Sequence, residues 1–195
     1  TDFLLLRKVA QTGKPVILSV GYASLVEIEF ALATLRGNGA KDIAVLHCVT
    51  AYSDAPTLED MNLRTIADIQ KRFGVVAGFS DNNGGIEAPL FAARAGASII
   101  EKHLILSREG GGPDAQFSLE PQELKRLVQS VRSGEKGSPE HFKKALGHVR
   151  YGPVNATEEY NKRWRRSLFA GADIQEGELF TKENVWTFRV SIPCN

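Results

Sequence analysis

The chain has 195 residues, 43% of them hydrophobic and 24% charged, an ordinary globular composition with room for one core and a small second unit. Its 24 Lys and Arg against 23 Asp and Glu leave no net footprint for nucleic acid or a membrane surface, and no apolar run approaches the ~20 residues of a bilayer span. With two cysteines, Cys48 and Cys194, and no signal-peptide pattern at the start, no disulfide framework is expected and a reducing cytoplasm is the default.

Phe3 to Ala10 reads as a helix ending near Gly13. Val16 to Val20 is an apolar run bounded by Pro15 and Gly21, a buried strand. Ser24-Leu25-Val26-Glu27 fits a capping box, in which hydroxyl and carboxylate satisfy free amides of a first turn. Leu25, Ile28, Leu32 and Leu35 follow at helical spacing until Gly37 to Gly39. The cycle then repeats. Ile43 to His47 predicts a strand, and Leu58 to Phe73 a helix with Thr57 as N-cap. Val75 to Phe79 predicts a strand, Ile86 to Ala95 a helix, and Ser98 to Glu101 a strand. A Gly-rich loop, Gly110 to Pro113, leads to a helix opened by Pro121.

Four strand-then-helix units with strands apolar on both faces predict a parallel sheet covered by helices. The repeat length suits a (β/α) barrel or a doubly wound sheet, and no GxGxxG or Walker motif follows a strand to favour the latter. Four strands are half of a barrel, which leaves sheet edges that proteins normally cover. A start without Met fits the same expectation, a piece of a longer protein. Residues 1–136 are expected to form the partial barrel. Residues 137–163, rich in Gly, Ser, Pro, Glu and Lys, read as a linker with room for one short helix. Residues 164–195 read as the start of a small β-rich unit.

In parallel α/β folds reactive groups collect past the carboxyl ends of the strands. The exits here carry Ser19, His47 to Tyr52, Ser80 to Asn83, and Glu101-Lys102-His103. Ser19 suits a turn or a phosphate ligand. His47, closing an apolar run, reads foremost as a core histidine bonded to a backbone carbonyl. Ser80-Asp81-Asn82-Asn83 suits an Asx-type turn. Glu101 and His103 share one face of their strand and Lys102 takes the other. A carboxylate and an imidazole side by side suit a divalent metal or acid–base chemistry, against the plainer reading of a solvated strand end. His141 and His148 read as surface residues.

Taken in order, these stretches resemble the N-acetylneuraminate (sialic acid) synthase family, which includes the pseudaminic and legionaminic acid synthases and the spore coat polysaccharide biosynthesis protein E group. The matching pieces are Thr12 to Ser19, Leu46 to Tyr52, Met61 to Arg64, Gly78 to Asp81, Ile100 to His103, and Gly112 to Pro121. After them come Arg165 to Leu168, Asp173-Ile174, Gly177-Glu178 and Glu183 to Val185, similar to the start of that family's antifreeze-like domain. The resemblance implies the C-terminal half of an eight-stranded (β/α) barrel followed by the start of that domain. It implies a synthase that condenses phosphoenolpyruvate with an N-acyl amino-sugar aldehyde and releases phosphate, aided by Mn²⁺ or Mg²⁺. It also implies a domain-exchanged homodimer, and that the piece alone is inactive.

By position, the resemblance assigns Ser19 and Ser80 to phosphoenolpyruvate oxygens, and Thr50 and Tyr52 to the substrate at the mouth. Glu101 falls to the sugar or the reacting water, His103 to the metal, and Arg189 to the partner's substrate. Where the family commonly has Ser-Asp-His, this chain has Ser80-Asp81-Asn82. An amide oxygen is a weaker ligand than imidazole and suits Mg²⁺ or Mn²⁺ better than zinc. Thr50 stands where sialic acid synthases often have Asn, so N-acetylmannosamine itself is not implied. Two other readings stay open: a metal-dependent pyruvate aldolase or lyase on the same barrel, and a sugar-binding homologue without catalysis.

Overall fold

The computed structural model describes residues 2–53 and 57–189; Cys194 and the Val190–Asn195 tail lie outside them. Helix α1 (Phe3–Ala10) is capped by Asp2, whose carboxylate accepts from the Leu5 amide. Strand β1 (Val16–Ser19) follows, then α2 (Leu25–Gly37). The capping box forms as expected: Ser24 Oγ accepts from the Glu27 amide at 3.3 Å, and Glu27 Oε2 accepts from the Ser24 amide at 2.8 Å. Strands β2 (Ile43–Val49) and β3 (Val76–Asp81) each run two residues past their expected ends, so Ser80 and Asp81 still belong to the ladder. Helix α4 (Glu87–Arg94), strand β4 (Ile100–Lys102) and α5 (Pro121–Ser133) complete the repeat.

One expected helix is broken. Leu58–Asp60 is a 3-10 turn, Asn62 takes a left-handed φ of 48°, and α3 spans only Arg64–Phe73. Asn62 Nδ2 donates to the Asp60 carbonyl and Asn62 Oδ1 accepts from the His148 amide, both near 3 Å, at 2.9 and 3.1 Å. Asn tolerates the left-handed region because its short side chain can satisfy the turn's own backbone. Thr57 makes no side-chain cap.

The four strands pair in parallel in the order β1-β2-β3-β4. Crossovers between consecutive parallel neighbours, right-handed as a rule, place α2, α3 and α4 on the same side, so the sheet is singly wound. That outer face holds the core: Val45, Val49, Ala77 and Phe79 pack with Ile28, Leu32, Leu35, Ile66, Ile69 and Phe91. Each such fully buried side chain contributes about 1.5–3 kcal/mol. His47 lies in this layer, its Nε2 bonded to the Met61 carbonyl at 2.7 Å, a satisfied core histidine. The inner face is apolar at its start, at Ile17 and Val76, and polar at its carboxyl end, at Ser19, Ser80, Asn82 and Glu101. Among the described residues no helix is long and apolar enough to cross a membrane.

The 137–163 stretch is more ordered than the expected linker. It carries α6 (Pro139–Leu146), α7 (Ala156–Asn161) and a 3-10 turn, Lys162–Trp164. Phe142 packs edge-on against Phe91, ring centroids 5.6 Å apart, with the Arg94 guanidinium 3.7 Å from its other face, and Ala145 is fully buried. The Tyr151 hydroxyl donates to Asp68 at 2.6 Å. One apolar stripe among many charges was enough to dock the segment, which runs back across the barrel as a strap. His141 and His148 are exposed, as expected, with His141 paired to Glu87 at 2.8 Å. Beyond the strap, β5 (Ser167–Ala170) and β6 (Val185–Phe188) form an antiparallel pair, on which Phe169 and Phe188 stack at 4.0 Å.

Candidate functional site

The β3–β4 register sets the site. Ser80 stands opposite Glu101 and Asp81 opposite Lys102, and the next residues, Asn82 and His103, continue the alignment. Alternation sends these polar pairs to opposite faces. On the inner face the Ser80 hydroxyl donates to Glu101 Oε1 at 2.7 Å, and His103 Nε2 meets Asn82 Oδ1 at 3.0 Å. On the outer face Lys102 Nζ bonds Asp81 Oδ2 at 2.8 Å and the Asn83 carbonyl, while Asp81 Oδ1 accepts from the Asn83 amide and side chain. Burial pushes the Asp81 carboxyl up, and the Lys102 ammonium pulls the other way.

A cavity of about 670 Å³ opens at this end of the sheet. Ser19, Thr50, Tyr52, Ser80, Asn82, Glu101 and Arg189 all line it; His103 lies in an adjoining recess shared with Ser80, Asn82 and Glu101. The residues singled out from the sequence are therefore brought to one end of the sheet. Arg189 stands at its own chain's cavity, its guanidinium 5.3 Å from the Trp164 ring. Tyr52 has a left-handed φ of 54° and packs its ring against Phe117, centroids 5.5 Å apart, with His103 edge-on to both. Burial pushes the Tyr52 phenol up.

Cys48 forms part of the floor, where it accepts a hydrogen bond from Asn82 Nδ2 at 2.9 Å. Burial pushes its thiol up to about 11, which keeps it protonated and unreactive at neutral pH. The strap supplies the far wall through Asn161, Trp164 and Arg165. Arg165 clasps Glu27 at 2.7 Å and the Tyr22 carbonyl. Burial raises the Glu27 carboxyl, but the Ser24 bonds and Arg165 outweigh it and hold it below the usual range.

Sequence reasoning missed Cys48 as a wall residue, the Asp81–Lys102 pair and the whole strap contribution. The first two carried a signal, since their residues lie inside the strand-exit stretches already singled out. The strap carried none.

The NeuB family profile matches residues 1–142. The chain belongs to the NeuB family. It is 40% identical to the N,N'-diacetyllegionaminic acid synthase of Campylobacter jejuni over 97% of this chain and 54% of that protein. It is 36% identical to a pseudaminic acid synthase of the same species, over 95% of this chain and 51% of the relative. Among solved structures, the spore coat polysaccharide biosynthesis protein SpsE of Bacillus subtilis superposes with a TM-score of 0.83 at 34% identity, over 96% of this chain and 54% of that one. This NeuB chain thus spans about half the length of the relatives it matches, and its curled parallel sheet corresponds to part of a (β/α) barrel.

Proposed function

We propose that this chain works within a nonulosonic acid synthase. In that reaction C3 of phosphoenolpyruvate bonds to the aldehyde carbon of an open-chain N-acyl amino sugar, water adds to C2, and phosphate leaves. The pairing of Ser80 with Glu101 and of Asn82 with His103, at the carboxyl end of NeuB-family strands, carries the reading. The names of the relatives, legionaminic and pseudaminic acid synthases, support it.

In this reading Ser19 and Ser80 bind phosphoenolpyruvate oxygens, Ser80 by turning its one proton from Glu101 to the incoming anion. Glu101, held at 2.7 Å by Ser80, is placed to take a proton from the reacting water or the sugar. Tyr52 walls the mouth, and Arg189 adds positive charge beside two anionic groups. The donor set at Asn82 and His103 fits a hard divalent cation. Were such an ion bound, the His103 imidazole nitrogen and the Asn82 amide oxygen, 3.0 Å apart on the inner face, would hold it. Asp114 Oδ2 lies 3.7 Å from the other ring nitrogen of His103, the place of an orienting carboxylate. When bound, Mn²⁺ or Mg²⁺ supplies Lewis acidity to the aldehyde oxygen.

The test is phosphate release by the full-length protein. Mixed with phosphoenolpyruvate, a divalent cation and N-acyl amino sugars, it should form phosphate and a 2-keto acid in equal amounts. Carbon–carbon bond formation from pyruvate without phosphate release would assign it to the aldolases instead.

A further inference from the structure

Glu158 is 1% exposed, yet its partners are hydrogen-bond donors rather than a cation. Oε1 accepts from the Thr50 amide at 2.6 Å and the Thr50 hydroxyl at 2.9 Å, and Oε2 accepts from the Val154 amide at 2.9 Å. The Thr50 carbonyl in turn accepts from Asn161 Nδ2 at 3.1 Å, and the Asn161 carbonyl from the Tyr22 hydroxyl at 3.1 Å. The strap therefore grips every polar group of Thr50. Gly21, packed beside it, leaves room for the Thr50 methyl: a Cβ there would lie 3.2 Å from Cγ2. Methyl toward Gly21 and hydroxyl toward Glu158 leave Thr50 one side-chain orientation.

A threonine hydroxyl has one proton and two lone pairs, whereas a carboxylate can only accept. The Thr50 proton is thus committed to Glu158, and what Thr50 can still offer is a lone pair. Thr50 is also a wall residue of the cavity. We propose that Glu158 is a positioning residue that fixes the polarity of Thr50. Thr50 then meets the substrate as an acceptor and selects a hydroxyl or N–H donor of the amino sugar, not the anionic oxygens of phosphoenolpyruvate. The inference rests on the synthase reading and names the part of the substrate that Thr50 recognises. A glutamine at 158 would set its NH₂ against the Thr50 or the Val154 amide N–H whichever way it turned, so only a carboxylate accepts from all three donors.

The experiment measures KM for each substrate separately in the full-length protein and its variants Thr50→Val, Thr50→Ser, Glu158→Gln and Thr50→Val/Glu158→Gln. Thr50→Val should raise the amino-sugar KM about tenfold, the loss of one hydrogen bond, and leave that for phosphoenolpyruvate unchanged. Thr50→Ser should restore it. Glu158→Gln should raise the amino-sugar KM in the wild-type background and add nothing in the Thr50→Val background. A purely structural Glu158 would lower stability and active fraction without moving either KM. The proposal is overturned if Thr50→Val raises the phosphoenolpyruvate KM, if it moves neither, or if Glu158→Gln acts equally in both backgrounds. Should Glu158→Gln fail to fold, the split between the two KM values in Thr50→Val decides alone. Absence of phosphate release in the wild type overturns the synthase reading instead; calorimetric titration of the amino sugar into wild type and Thr50→Val then decides this inference.

Discussion

Asp81 and Lys102 face each other across β3 and β4 with 2.8 Å between carboxylate oxygen and ammonium, and both side chains are closed to solvent. The pair lies on the outer face, between the inner-face pairs Ser80–Glu101 and Asn82–His103 along the same two strands. It therefore holds the register on which both of those bonds depend.

Lys102→Met should leave Asp81 buried without its cation and cost about 3–5 kcal/mol, read from urea unfolding. Asp81→Asn/Lys102→Met should recover much of that. The sign with pH follows from burial, which already pushes the Asp81 carboxyl up. A raised carboxyl contributes stability at low pH and loses it as pH rises through the folded value. The gap between Lys102→Met and wild type should accordingly narrow as the solution is acidified. A gap independent of pH would show that Asp81 is not the group left unpaired.

Burial holds the His47 imidazole down at about 4, against an ordinary value of 6.5. The unfolded chain then binds the proton more readily, so stability is full above pH 6.5 and falls as pH drops toward about 4. The loss from this group is about 3 kcal/mol across that window. Unfolding free energies at several pH values, compared with His47→Gln, should show a flatter slope in the variant.

Gly78 has no room for a side chain: a Cβ would lie 2.5 Å from the Ile99 carbonyl oxygen and 2.5 Å from Leu46 Cδ2. Backbone on one side cannot yield cheaply, so Gly78→Ala should cost about 1–3 kcal/mol or more. Because Gly78 lies two residues before Ser80, the variant should lose the proposed synthase activity beyond its loss of stability. Thermal melts together with activity per folded molecule separate the two effects.

In the full-length protein, His103→Ala should abolish the metal-dependent part of the rate, and Asn82→Ala should lower it less. Asn82→His should tighten the apparent metal affinity, because imidazole is the stronger ligand for Mn²⁺. Metal titrations of activity read all three. Equal, metal-independent rates in wild type and His103→Ala would remove the cation from the mechanism.

Most strands and helices of the repeat were legible because they were announced locally, β1 by its run between Pro15 and Gly21 and α2 by the Ser24–Glu27 box. His47 was legible for the same reason: it closes a run whose residues are buried on both faces. The break at Asn62 was not, since apolar spacing continues through it. Its left-handed turn is secured by the His148 amide, 86 residues away, and by Gly147, where a Cβ would sit 2.6 Å from Asn62 Oδ1. Lys102 was assigned to the correct face, but its partner could be named only once the β3–β4 register was known. Glu158 sits beside Glu159 in a charge-rich stretch and reads as solvated; its burial is decided by Thr50, 108 residues earlier.

The strap also sets an order of events in time. Each strand of the sheet docks on the one made just before it, with closures of a few tens of residues. The strap's bonds to Thr50, Tyr22 and Glu27, with those of Arg165 just beyond it, close loops of 108 to 143 residues. Longer closure costs more entropy, and segments held by few distant bonds open first. A chain leaving the ribosome thus displays its polar strand ends bare until Glu158 and Arg165 emerge. In the finished protein, the Thr50 amide should exchange with solvent through openings of the strap alone, faster than the amides of Val45 and Leu46 on the same strand.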